Sequence, residues 1–167
     1  MLTAGVSGKD MSRVTQILIA EAPSSPMTSR EEVRAVPGKG LEGDRYFSGG
    51  GTFSPTPHQP DFEITLIEQE KIEAFAKESG LPFNALHARR NIVTEGVALN
   101  DLVGEEFWVG EVRIRGIRLC EPCHYLAKTS YPETLKGLLH KAGLRAQIIS
   151  EGKIHVGDSI RKNTSCA

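Results

Sequence analysis

Cysteine is scarce in this chain. Cys120, Cys123 and Cys166 are the only three in 167 residues, too few and too unevenly spaced for the disulfide framework of a small secreted domain. Long hydrophobic runs are absent too: no stretch approaches the ~18 consecutive apolar residues that a membrane helix needs. No basic segment leading into a long apolar one opens the chain, so no secretory leader is expected. An excess of one charge is also lacking, with 20 Lys plus Arg against 21 Asp plus Glu and a net charge of −1. A general nucleic-acid binder carries a strong basic excess, so that class is excluded. The expectation is a cytosolic protein with reduced thiols, without membrane or nucleic-acid partners, whose cysteine chemistry is catalytic or ligand-type.

The length and a 39% hydrophobic content suit one globular domain with its own core. The even charge balance hides an uneven distribution. Residues 1–80 carry 8 basic and 12 acidic side chains, and residues 81–167 carry 12 and 9, so a local anion site in the second half is compatible with the total.

Short apolar, β-branched runs punctuated by turn formers predict strands at Val14–Ala20, around Val33 and Ala35, and at Glu63–Ile67. Glu68 to Ser79 predicts the clearest helix, with Ile72, Phe75 and Ala76 on one face, a Glu73–Lys77 pair, and Gly80 then Pro82 as stop signals. Gly110-Glu111 between Phe107-Trp108-Val109 and Val112-Arg113-Ile114 predicts a two-residue hairpin. The apolar phase then slips, and a bulge at Gly116 would keep Arg113, Arg115 and Arg118 on one face. Further strands are expected around Ile148 to Ile154 and after Asp158, with helical pattern near 133–141. Many short strands with few helices predict a mostly β (α+β) fold of the barrel or sandwich type.

Four constellations carry chemistry. Gly38-Lys39-Gly40-Leu41-Glu42-Gly43 spells a dinucleotide fingerprint, but Asp44-Arg45-Tyr46-Phe47 runs into Gly49-Gly50-Gly51 rather than a helix, so the fingerprint is rejected. An anion-binding loop using Arg45, or an exposed Asp44–Arg45 pair in an ordinary turn, both remain. Arg89-Arg90-Asn91 before Ile92-Val93 offers two guanidiniums and an amide for a phosphate, or a solvated basic face. Arg113, Arg115 and Arg118 favour the solvated face more strongly. Cys120-Glu121-Pro122-Cys123-His124 is the richest element. Its two thiols supply half of a structural zinc site, with His124, His155 or Cys166 to complete it. Alternatively, Pro122 could begin a helix and set Cys123 at its N-terminus, where a thiolate is favoured. That thiolate could attack a disulfide, carry a persulfide sulfur or ligate a soft metal, and a buried pair acting as small hydrophobes is the bland reading. His58, His87, His140 and His155 are isolated.

Six blocks in consistent order resemble the MOSC domain, named for the C-terminal domain of molybdenum-cofactor sulfurases. They are Gly40-Leu41-Glu42-Gly43-Asp44-Arg45; Ile64 to Glu68 leading into a helix; Arg90-Asn91-Ile92-Val93-Thr94-Glu95-Gly96-Val97; Leu102-Val103-Gly104 with Phe107-Trp108-Val109-Gly110; Glu121-Pro122-Cys123; and Gly152-Lys153-Ile154-His155-Val156-Gly157-Asp158. Two blocks depart from the usual pattern: Tyr46-Phe47-Ser48 replaces a histidine-bearing loop, and Arg89-Arg90-Asn91 replaces Gly-Glu-Asn. The resemblance spans 13–162, with 1–12 and 163–167 expected as flexible termini. It implies a β-barrel-like fold with a few flanking helices, and Cys123 as the reactive residue. It further implies molybdenum cofactor (molybdopterin) as the bound group, with Cys123 as molybdenum ligand or persulfide sulfur carrier. Asp44, Arg45, Arg89, Arg90 and Asn91 would hold the cofactor. An enzyme of this kind would reduce N-hydroxylated compounds with electrons from a separate redox partner. A carrier would receive sulfur from a pyridoxal-phosphate-dependent cysteine desulfurase acting in trans, since 167 residues leave no room for that domain.

Overall fold

Four successive residues, Ile17 to Ala20, explain the layering of this molecule. Ile17 and Ile19 point to one side of the strand and Leu18 and Ala20 to the other, and all four are buried. Alternating side chains put successive residues on opposite faces, so a strand buried on both must read as an unbroken apolar run. The computed structural model describes residues 12–51, 54 and 59–163. His58, Cys166 and nearly all of the expected flexible termini lie outside those residues.

The main sheet has eight strands in the order β11-β7-β8-β9-β5-β6-β1-β2. They are β1 (Arg13–Ile19), β2 (Thr28–Arg30), β5 (Ile64–Glu68), β6 (Ile92–Glu95), β7 (Glu106–Val109), β8 (Val112–Leu119), β9 (Leu144–Ile148) and β11 (Ile160–Lys162). All pairings are antiparallel except β5 with β6, whose crossover contains α1 (Gln69–Ser79) and α2 (Ala85–Ala88). Val14 N–H donates to Asp158 O at 2.9 Å, and Ile160 N–H donates to Ser12 O at 3.0 Å. These bonds tie the start of β1 to the turn ahead of β11, so the sheet curls toward closure. A second sheet, β10-β3-β4, is built from β3 (Glu32–Val36), β4 (Gly40–Leu41) and β10 (Gly152–His155). The fold is the mostly β, barrel-like one with short flanking helices that the sequence predicts.

The inner face holds one apolar cluster including Ile17, Leu66, Ile92, Phe107, Ile114 and Leu144. A second cluster lies outside the sheet, where Leu18, Ile67 and Val93 meet Ile72 and Phe75 of α1, Phe83 and Leu138. Helix α1 begins one residue after Glu68 and ends at Gly80 in the left-handed conformation, the geometry in which glycine carries no Cβ penalty. Glu73 accepts from Gln69 at 2.9 Å rather than forming the expected pair with Lys77. The β7–β8 hairpin closes through Gly110-Glu111, with Val109 opposite Val112. The register shifts between Gly116 and Arg118, so the predicted bulge is present. Gly116 has a second reason to be glycine: a Cβ there would stand 2.1 Å from the Leu102 carbonyl oxygen.

Candidate functional site

On the outer face of the sheet, between β5, β9 and the helical segments, lies a shallow cleft open to solvent. Cys123 lines it from the N-cap position of α3 (His124–Thr129), with extended φ −135° and ψ 173°. The helix begins at His124, so Pro122 sits ahead of the cap rather than inside the first turn as expected. The Cys123 side chain makes no capping hydrogen bond, and the residue is half-buried, whereas Cys120 is buried. Cys120 N–H donates to Gly143 O at 2.7 Å, which anchors the thiol segment to the turn before β9.

Four arginines line the same cleft: Arg45, Arg89, Arg90 and Arg145. Each reaches it differently. Arg45 is buried, with its Nη1 donating to Asp44 Oδ1 at 3.0 Å. Asp44 is pinned in turn by Ala20 N–H on Oδ1 at 3.0 Å and Tyr46 N–H on Oδ2 at 3.3 Å. The Asp44–Arg45 pair is therefore buried, and not the exposed one that an ordinary turn would give. The backbone N–H groups of Asp44 and Arg45 donate to Leu41 O and Ala20 O. The loop therefore contributes a guanidinium rather than a nest of amides.

Arg89 occupies the residue after α2 in the left-handed conformation, φ 56°, which is sparsely populated for a residue with a Cβ. Its Nη1 donates to Ser25 O at 2.8 Å, while Nε and Nη2 are buried without a partner. An unpartnered buried donor costs about 1–3 kcal/mol, more when charged. Burial, and secondarily repulsion from Arg45, hold the Arg89 pKa below its ordinary value. Cations have been gathered here with little opposing charge, as a site for an anion requires.

Arg90 lines the cleft but its guanidinium is committed to backbone. Nε donates to Ala142 O at 2.8 Å, Nη1 to Ala88 O at 3.3 Å and Nη2 to Cys120 O at 3.2 Å. Asn91 is buried beside it and is not among the lining residues. Its Nδ2 donates to Leu18 O at 3.1 Å, and its Oδ1 accepts from the Thr65 amide and hydroxyl. Cys123, Arg45, Arg89 and Arg90 are thus brought together, while Asp44 and Asn91 stand one step behind the lining.

Sequence reasoning missed two features. Arg145, on β9, lines the cleft with a buried, unpartnered Nε. Glu121, the only carboxylate among the described residues of the lining, accepts at 2.7 Å from both the backbone N–H and the ring Nδ1 of His140. The alternation Leu144-Arg145-Ala146 signals an outward arginine, but nothing in the sequence says what surrounds it. The arginines of β8 are the solvated face expected: Arg113 and Arg115 pair with Glu106, and Arg118 with Asp61. Among the described residues no three of His, Cys, Asp and Glu gather as a metal group, so the C-x-x-C segment has no zinc ligand set there. No helix among them is long and apolar enough to cross a membrane.

Solved structures share this architecture. The YuaD protein from Bacillus subtilis superposes with a TM-score of 0.73 at 18% identity, covering 90% of this chain and 94% of that one. YiiM from Geobacillus stearothermophilus gives 0.69 at 16% identity, covering 90% and 74%. YiiM from Escherichia coli gives 0.65 at 19% identity, covering 90% and 69%. No curated protein matches the sequence. The family model for the MOSC domain matches residues 44–161, which runs from the buried Asp44 to the last strand and takes in all four arginines and Cys123, and the chain belongs to the MOSC domain family.

Proposed function

We propose that this protein binds molybdenum cofactor in the arginine-lined cleft, with the Cys123 thiolate as the molybdenum ligand, and reduces small N-hydroxylated compounds there. One observation carries the reading: a half-buried thiol with no capping bond shares a cleft with guanidinium donors that are buried and unsatisfied. The residues fit the group. Thiolate is a soft ligand suited to molybdenum, the guanidinium forks match a phosphate, and the cleft opens to solvent where a cofactor can enter.

In this reading Arg89 takes the anionic end of the cofactor through Nε and Nη2. Arg45, held by Asp44, adds positive charge without losing its geometry. Arg90 and Asn91 hold the lining in place, one by clamping three carbonyls and the other by joining β1 to β5. The Glu121–His140 pair sits beside the thiol segment and is placed to exchange protons with water at the cleft. Bound there, the cofactor would supply two-electron reducing chemistry, with two electrons and two protons converting an N-hydroxyl group to N–H and water. Those electrons come from a separate redox partner, as the sequence resemblance implies.

Protein purified from a host that makes the cofactor should release an oxidisable pterin on denaturation, read by fluorescence. It should turn over a benzamidoxime or hydroxylamine with an artificial electron donor. Arg89→Gln should lower pterin content and turnover together. Pterin-loaded protein that shows no turnover, but gains a persulfide mass shift on Cys123 with a cysteine desulfurase, would overturn the reductase in favour of the sulfur carrier.

A further inference from the structure

Trp108 is the chain's single tryptophan, and it stands on β7 with Phe107 and Val109 buried on either side of it. Alternation turns it to the outer face of the sheet, where it is half-buried rather than packed into a core. The register sets Arg161 of β11 opposite it on one side and Arg113 of β8 on the other. Both guanidiniums lie over the indole, at 5.9 Å and 5.7 Å from the ring. The same face carries Arg115 and, past the bulge, Arg118, each with its side chain half exposed. Opposing charge is short here. Glu106 serves Arg113 at 2.9 Å but Arg115 only at 3.8 Å, Asp61 serves Arg118, and Arg161 has no ion pair among the described residues. Four arginines against two carboxylates leave this face at +2 in a chain whose total is −1.

Exposed ion pairs and cation–π contacts add little to stability, so they account for where these side chains lie and not for the surplus charge. We propose that the outward face of β11, β7 and β8, centred on Trp108, docks an acidic protein, and that this partner is an electron carrier. Interfaces concentrate their binding energy in tryptophan and arginine, and opposite charge steers a transient partner into place. Three strands about 4.8 Å apart and four residues of about 3.3 Å each give a face of roughly 15 Å by 15 Å. That suits a small contact of the electron-transfer kind, below about 1,200 Å² in total, rather than a permanent one. A nucleic acid fits less well, because an indole covered by guanidiniums from both flanking strands is a poor platform for a base. The face also borders the cleft, since Arg118 at its end stands opposite the cleft-lining Arg145. Docking needs nothing in that cleft; only the assignment of the partner as an electron carrier rests on the proposed function.

The test titrates full-length, cofactor-free protein with oxidised flavodoxin, a small acidic flavin protein, and reads binding by calorimetry. Binding should weaken about tenfold or more between about 20 mM and 200 mM salt. Arg161→Glu reverses an exposed charge and should weaken it about tenfold at low salt. Trp108→Ala should cost about tenfold or more. Arg34→Gln removes an exposed arginine from β3 in the other sheet and should stay within about twofold. The docking face is refuted if flavodoxin does not bind at low salt, if Arg161→Glu or a folded Trp108→Ala binds as wild type does, or if Arg34→Gln costs as much as Arg161→Glu. A single-stranded oligothymidylate that binds more tightly than flavodoxin would make the face a nucleic-acid site and overturn the proposal as well. The outcome separates from that of the cofactor reading: Arg161-dependent flavodoxin binding by a protein that never acquires molybdenum sinks the reductase and leaves the docking face. Turnover by molybdenum-loaded protein with an artificial donor, with flavodoxin binding indifferent to Arg161, does the reverse.

Discussion

Replacing Arg90 by lysine separates a cation that recognises a ligand from one that builds the wall of its site. The guanidinium donates to the carbonyls of Ala142, Ala88 and Cys120, on three separate chain segments, and the residue is 9% exposed. Lysine keeps the charge but a single ammonium cannot serve three carbonyls in these directions. Hydrogen bonds from a charged donor contribute about 1.5–3 kcal/mol each. Bonds sharing one group are not additive, so losing two of the three gives about 3–5 kcal/mol. For a domain of this size each kcal/mol moves Tm by about 2–4 °C, which makes the expected fall roughly 6–20 °C. Thermal unfolding of cofactor-free protein, followed by circular dichroism at pH 7, reads it directly. An Arg90→Lys protein melting within about 2 °C of the parent would refute the wall-building role.

Other perturbations follow from the same geometry. Asn91→Ala removes the amide that joins Leu18 to Thr65 and should lower unfolding free energy by about 2–4 kcal/mol in a urea titration, with an unchanged unfolding free energy contradicting it. Gly116→Ala would drive a Cβ into the Leu102 carbonyl and should cost about 2–3 kcal/mol by the same titration, whereas a bulge tolerant of alanine would show none. Glu68 has a raised pKa, chiefly through burial. Its carboxyl is therefore more easily protonated folded than unfolded, and the contribution of Glu68 to stability falls as pH climbs from the ordinary carboxylate range toward neutrality. Glu68→Gln escapes that fall, so its Tm relative to wild type should rise between pH 4 and pH 7, and a constant difference would contradict the sign.

The fold was legible because its signals are local. Hydrophobic alternation, the Gly110-Glu111 turn and the phase slip at Gly116 each act within a few residues. The site was legible only in part. Cys123 and the arginines at 45, 89 and 90 stand in recognisable blocks, but the duties of their side chains depend on residues far along the chain. Arg90 is committed to Ala142 and Cys120, and Asp44 to Ala20. Arg145 shows the limit most clearly. An arginine between Leu144 and Ala146 reads as an ordinary outward strand residue, and only the register that sets it against Arg118, with Asp61 already taken, makes it a cation without a counter-charge. The Glu121–His140 contact bridges 19 positions, and neither residue carries a pattern that points to the other.

Metal content tests the central claim most directly. Protein purified from a host that makes molybdenum cofactor should contain about one molybdenum per chain by mass spectrometry, and Cys123→Ser, with unchanged Tm, should contain almost none. Stoichiometric zinc in place of molybdenum, or molybdenum retained at full occupancy in Cys123→Ser, would contradict it.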